Sequence, residues 1–167
     1  MNKSIDFNPK FANYQDDILS MIENFKTSNG QTIKDHRNTI KVFELENFEV
    51  NIKSFGKPNF FNALIYSFIR LSKAKRSFHY ANKLLELGIN TPTPISCCEF
   101  KINGILNQSF YVSKQLKFDF PISEVINNLH LPNRIEILNK FVQFTFKLHE
   151  NGINFLDHSP SNTLVKV

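Results

Sequence analysis

Leu148-His149-Glu150-Asn151-Gly152-Ile153-Asn154-Phe155-Leu156-Asp157-His158-Ser159-Pro160-Ser161-Asn162-Thr163-Leu164-Val165 is the stretch that decides how this chain is read. It begins at the end of a predicted helix, Arg134–Glu150, whose Ile135, Leu138, Phe141, Val142, Phe146 and Leu148 keep a helical period. Gly152 supplies the stop. Ile153–Asn162 then reads as a loop and Thr163–Val167 as the start of a strand. Inside the loop, Asp157 and Asn162 are five positions apart. Phosphoryl transfer from a nucleotide needs a cation on the phosphates, a carboxylate to orient the acceptor hydroxyl, and oxygen ligands for magnesium. The spacing allows one loop to turn a carboxylate toward an acceptor and an amide oxygen toward a metal. On the bare pair turn chemistry is the stronger explanation, because Asp and Asn side chains often bond their own backbone.

Working upstream, the first periodic segment is Tyr14–Phe25, with Ile18, Leu19, Met21, Ile22 and Phe25 on one helical face. Thr39–Leu45 and Phe48–Phe55 read as strands joined by Glu46-Asn47, a hairpin connection. Asn59 is placed to cap a helix from Phe60 that should bury Phe61, Leu64, Ile65, Phe68 and Ile69. Ser72 caps a second helix, Lys73–Leu87, with Gly88 at its left-handed end. Thr91-Pro92-Thr93-Pro94 enforces extended chain. Strands Ile95–Lys101 and Leu106–Val112 follow, with Asn103-Gly104 as the turn. Leu116–Pro121 reads as a connector and Ile122–Leu129 as a short helix. The order predicts an α+β fold in two parts, 1–116 and 117–167.

Composition narrows the class without choosing a function. With 41% hydrophobic and 21% charged residues the 167-residue chain is predicted to be globular, not disordered. A net charge of +5 and a pI near 9.2 favour anionic partners. The basic cluster Arg70, Lys73, Lys75 and Arg76 reads either as a solvated helix face or as a dock for an anionic membrane or phosphorylated glycolipid. Cys97 and Cys98 are adjacent, a poor geometry for a disulfide, and are read as small hydrophobes in a strand in a reducing compartment. Met1–Asn13 lacks the apolar core of a signal peptide and no run spans a bilayer, so a cytoplasmic location is expected. No nucleic-acid recognition motif is visible, and no nucleic-acid partner is expected.

Three further segments give the loop its context: Asn51-Ile52-Lys53-Ser54-Phe55-Gly56-Lys57-Pro58-Asn59, Ser72-Lys73-Ala74-Lys75-Arg76-Ser77-Phe78, and Leu84 to Ile95 with its Thr91-Pro92-Thr93-Pro94. Together and in this order, from about Asn38 to Val167, they resemble the bacterial lipopolysaccharide kinase family, which phosphorylates heptose or Kdo sugars of the inner core. The resemblance implies a protein-kinase-like fold, with a small β-rich lobe, a helical lobe, and ATP held between them. It implies that Lys53 steadies the nucleotide phosphates, Asp157 is the catalytic carboxylate and Asn162 binds Mg2+. The implied partners are ATP and a sugar or glycolipid acceptor, with peripheral contact to the inner membrane.

The sequence also departs from the kinase pattern. Phe155 stands where kinases usually carry His, two before the catalytic Asp, and Ser159 stands where Ser/Thr protein kinases carry Lys, which argues for a non-protein acceptor. No Gly-x-Gly-x-x-Gly precedes Lys53, and the one acid of the Lys73–Leu87 helix, Glu86, sits near its end, so the sequence names no pairing partner for Lys53. The resemblance implies a second metal-binding acid roughly fifteen to twenty residues beyond the Asn, past Val167. The expectation is therefore a C-terminally truncated chain with an incomplete helical lobe and half a magnesium site. A second reading stays open beside the kinase: a non-catalytic nucleotide-binding or interaction module.

Overall fold

Runs of alternating residues in the first part of the chain pair into one antiparallel sheet: β1 (Asn2–Phe7), β2 (Gln31–Asp35), β3 (Asn38–Leu45), β4 (Phe48–Phe55), β5 (Pro94–Ile102) and β6 (Ile105–Lys114). Their order is β1-β5-β6-β4-β3-β2, which puts β4 and β6 at the centre. The computed structural model describes residues 2–154 and 159–166, which divide into two units, 1–115 and 116–167. The architecture is mixed α and β, with a six-stranded antiparallel sheet and helices.

Two side-chain sets leave β4 on opposite faces. Val50 and Ile52, both fully buried, meet helix α1 (Gln15–Glu23), which contributes Ile18 and Ile22. Phe25 just beyond α1 completes this core, its ring 5.4 Å from that of Phe110. Lys41 ties the chain after α1 to the sheet, its Nζ donating to the carbonyls of Phe25 and Ser28 at 2.8 and 3.1 Å. On the other face, Phe55 packs with Cys97 and Tyr111 against Ala74 and Phe78 of helix α3 (Lys73–Glu86).

The predicted hairpin at Asn103-Gly104 is present, with both residues at positive φ, the signature of a type I′ turn whose twist suits β5–β6. β1 and β2, absent from the sequence reading, are the sheet's two edges. Every residue of β2 is exposed, so no alternation of apolar residues advertises it.

Helix α2 (Phe60–Phe68) forms with Asn59 as its cap, the Asn59 side chain accepting from the Asn62 N–H at 2.9 Å. Its expected burial is not found. Phe61, Phe68 and, beyond the helix, Ile69 are more than 70% exposed, and Ile65 is also exposed. At about 3.6 residues per turn, Phe60, Phe61, Ile65 and Phe68 share one side of the helix, and that side is the exposed one. Instead it meets the sheet through its smallest side chains: Ala63 is buried, and Ser67 Oγ accepts from the Leu106 N–H at 2.8 Å.

In the second unit, strands β7 (Phe120–Pro121) and β8 (Leu164–Val165) pair, followed and preceded by helices α4 (Ile122–Asn127) and α5 (Arg134–Glu150). Arg134 Nε donates to the Val125 carbonyl at 2.9 Å and its Nη2 to Ile126 at 3.2 Å, satisfying carbonyls at the end of α4. Ile135, Val142 and Phe146 of α5 are exposed. Among the described residues, no helix is long and apolar enough to cross a membrane.

The α1–sheet core carries the stability of the first unit. Ile52→Ala is expected to cost about 2–5 kcal/mol in urea unfolding. Ile33→Ala, on the exposed edge strand, should stay within about 0.5 kcal/mol.

Candidate functional site

Lys53 lies in the middle of β4, opposite Ile40 of β3 and Tyr111 of β6. The alternation that buries Ile52 toward α1 directs Lys53 to the α3 side, the side of Phe55. The half-buried Lys53 has its Nζ 5.0 Å from the centroid of the Phe55 ring, within cation–π range. The strand register sets a row across this face: Asp6, Cys97, Tyr111, Lys53 and Ile40.

The row's other polar groups are held neutral or paired. Burial, reinforced by neighbouring Asp6, pushes the Cys97 thiol up to about 12, and burial does the same to Cys98. Both are free and buried. Burial also raises the Tyr111 phenol above its ordinary range. Cys97 Sγ donates to Asp6 Oδ2 at 3.6 Å.

The ion pairs between α3 and the sheet run opposite to the kinase expectation. The helix supplies the cation and the strands supply the acids. Lys75 Nζ is 3.8 Å from both Asp6 and the buried Glu99, and Lys101 is 4.0 Å from Glu99. Glu86, the one acid of α3, is exposed near the helix end. The basic cluster of the sequence also divides. Helical spacing turns Lys75 to the sheet acids and buries Arg76 Nε, which has no hydrogen-bond partner among the described residues, while Arg70, ahead of the helix, is exposed.

Lys73 faces elsewhere, into a cavity of about 260 Å³ at the end of β4. Arg37 from the β2–β3 connection, Asn38 at the start of β3, Lys57, and Asn59 and Asn62 from the start of α2 also line it. Phe55, whose ring carries Lys53, is part of the wall. Of its cations only Lys73 belongs to the basic cluster read from the sequence; Arg37 and Lys57 come from other segments of the chain.

In the second unit, α5 closes as a Schellman cap. Gly152, at φ +67°, donates to the His149 carbonyl at 2.9 Å, and Ile153 donates to Leu148 at 2.9 Å. The chain returns as a single 3-10 turn, Pro160–Asn162, and enters β8. That return is pinned by two backbone bonds of 2.9 Å, Asp119 N–H to the Val165 carbonyl and Ile122 N–H to the Thr163 carbonyl. Asn162 is exposed at the end of the turn, its N–H donating to the Ser159 carbonyl at 2.9 Å. Asp157 and Phe155 lie outside the described residues. Lys53 belongs to the first unit and Asn162 to the second.

A magnesium ion takes oxygen ligands, normally one or two carboxylates together with substrate phosphates. Among the described residues, no group of three or more His, Cys, Asp or Glu could hold a metal, and Asn162 offers one neutral amide oxygen. The described donors alone therefore do not make up a magnesium site.

No family model matches this chain, and no curated protein matches it. A solved structure, WaaP in complex with acyl carrier protein, is similar at 15% identity and a TM-score of 0.46, over 75% of this chain and 45% of that one. The chain thus spans less than half the length of that structure.

The raised thiols have a measurable consequence. A thiol whose pKa rises on folding from 9.0 to about 12 favours the folded state while it stays protonated. Its contribution is complete below about pH 9 and is lost as pH climbs toward 12. Stability should fall over that window, and Cys97→Ser with Cys98→Ser should flatten the fall. At pH 8 a disulfide reagent such as DTNB should label neither cysteine until denaturant is added, followed by absorbance of the released thiolate.

Proposed function

We propose that this chain belongs to a phosphotransferase of the protein-kinase-like, lipopolysaccharide-core type, moving the γ-phosphoryl group of ATP to a hydroxyl of Kdo or heptose. The observation that carries the reading is the order α5, left-handed Gly152, then, past residues 155–158, which lie outside the described residues, a 3-10 turn ending at Asn162 and β8. Helix, glycine and strand come in the order in which a kinase sets its catalytic carboxylate and metal-binding amide. A lysine in the middle of a central strand, Lys53, supports it from the first unit.

In this reading Lys53 holds the nucleotide phosphates through its ammonium. Its half-buried position strengthens a charge contact relative to open water. Asp157 accepts a hydrogen bond from the acceptor hydroxyl and orients it. Asn162 offers its amide oxygen toward the magnesium that travels with the nucleotide, and that ion neutralises developing charge when bound. A carboxylate orienting an acceptor contributes through position, so its loss affects transfer far more than nucleotide affinity.

A second reading, a nucleotide-binding or interaction module without catalysis, is favoured by one observation. The acids that pair with α3 come from β1 and β5, and α3 offers no acid at the sheet to orient Lys53.

Magnesium-dependent ATP binding, measured by calorimetry, separates the possibilities. Lys53→Ala is expected to weaken ATP by about tenfold or more, the loss of one charge-assisted contact. Asp157→Asn should leave ATP binding near wild type while abolishing transfer to a Kdo- or heptose-containing acceptor. Binding in the wild type without transfer supports the module. Equal, negligible ATP binding by wild type and Lys53→Ala contradicts both readings.

A further inference from the structure

The cavity at the end of β4 gathers three cations from three separate segments: Arg37 from the β2–β3 connection, Lys57 from the β4–α2 connection and Lys73 from the first turn of α3. No carboxylate is among the described residues that line it, and none of the three cations is ion-paired among the described residues. This arrangement is costly in isolation. Three like charges around one concavity repel each other, most strongly where the walls exclude water. Elsewhere in the same unit the fold does neutralise its lysines, as Lys75 and Lys101 against Glu99 show.

The remaining lining also favours an anion. Asn59 and Asn62 belong to the first turn of α2 and Lys73 to that of α3, so the positive ends of two helices add to the field. Phe55, Pro58 and Leu106 give it an apolar wall, and Tyr66 and Ser109 bring hydroxyls. At about 260 Å³ the cavity falls just below the range of about 300–1,000 Å³ that encloses drug-sized ligands. The size suits a phosphate or diphosphate group with the atoms next to it.

The approach of the segments is fixed by Gly56. A Cβ there would lie 2.7 Å from the backbone oxygen of Arg37, so only glycine lets the β2–β3 connection close on this end of β4. Backbone, unlike a flexible side chain, cannot swing aside. Gly56 therefore sets the position of Arg37 relative to Lys57.

From this we infer that the cavity is a binding site for the phosphate or diphosphate group of a small molecule, held by Arg37, Lys57 and Lys73. Arg37 offers a planar fork to two phosphate oxygens, and the lysines act as point charges. The inference involves neither Lys53 nor the Asp157–Asn162 loop as ligands, so it stands apart from the proposed phosphotransfer.

The test is calorimetric titration of the whole chain with inorganic pyrophosphate at fixed ionic strength, without magnesium. Arg37→Gln, Lys57→Gln and Lys73→Gln should each weaken binding by about tenfold, the loss of one charge-assisted contact. Lys83→Gln, the same change of net charge on the exposed far end of α3, should leave it as in wild type. Gly56→Ala, which removes no charge, should weaken it by displacing Arg37. ADP and a hexose phosphate, titrated in parallel, tell a nucleotide source of the group from a sugar source by which competes with pyrophosphate. No pyrophosphate binding at millimolar concentration, or binding that the three cavity charge variants leave unchanged, overturns the inference. So does a loss in Lys83→Gln as large as in the cavity variants, which marks a general charge effect.

Discussion

Successive side chains of a strand leave on opposite faces, and in β4 that alternation divides the first unit into two different environments. Val50 and Ile52 close the apolar core with α1, while Asn51, Lys53 and Phe55 turn to the side on which α3 packs. A slip of one residue in the pairing of β4 with β3 and β6 would exchange the sets, placing Lys53 in the α1 core and Ile52 on the polar row. Burying an ammonium in that apolar core would cost several kcal/mol. The register is therefore fixed by the hydrophobic face, and the chemistry of the other face is inherited from it. Phe55 extends the consequence, since it packs in the α3 cluster, carries the Lys53 ammonium on its ring and lines the cationic cavity.

The α3 side itself handles charge in two ways. Toward β1 and β5, Lys75 meets Asp6 and the buried Glu99, so helix and sheet are joined by ion pairs of opposite sign. Toward the β4–α2 connection, Arg37, Lys57 and Lys73 converge without an acid among the described residues lining the cavity. Basic composition alone, +5 over the chain, gave no hint of this separation. Net charge describes solubility and encounter, whereas a site depends on where opposite charges are withheld.

The sequence made the central elements legible because their signals are local. Val50 and Ile52 alternate with polar residues, Asn103-Gly104 fits a type I′ turn, and Asn59 and Ser72 cap helices that begin one residue later. Edge strand β2 was illegible because all five of its residues are exposed and one face of a strand must be buried to leave a pattern. The α2 reading failed for the opposite reason. Phe60, Phe61, Ile65 and Phe68 share one side of the helix, a clear local signal, yet that side is exposed and the helix meets the sheet through Ala63 and Ser67. Of the site, the strand position of Lys53 and the turn at Asn162 follow from local patterns. The acids that serve α3 do not, because Asp6 and Glu99 are brought to Lys75 by pairing between β1 and β5, ninety positions apart in the chain.

The central claim is that Lys53 stands at the phosphates of a bound nucleotide. An acyl-phosphate derivative of ATP transfers its acyl group to whichever lysine amine lies beside the phosphates, and peptide mass spectrometry identifies that lysine. The account predicts acylation concentrated at Lys53 and suppressed by excess ATP. Acylation spread over the exposed lysines and indifferent to ATP would contradict it.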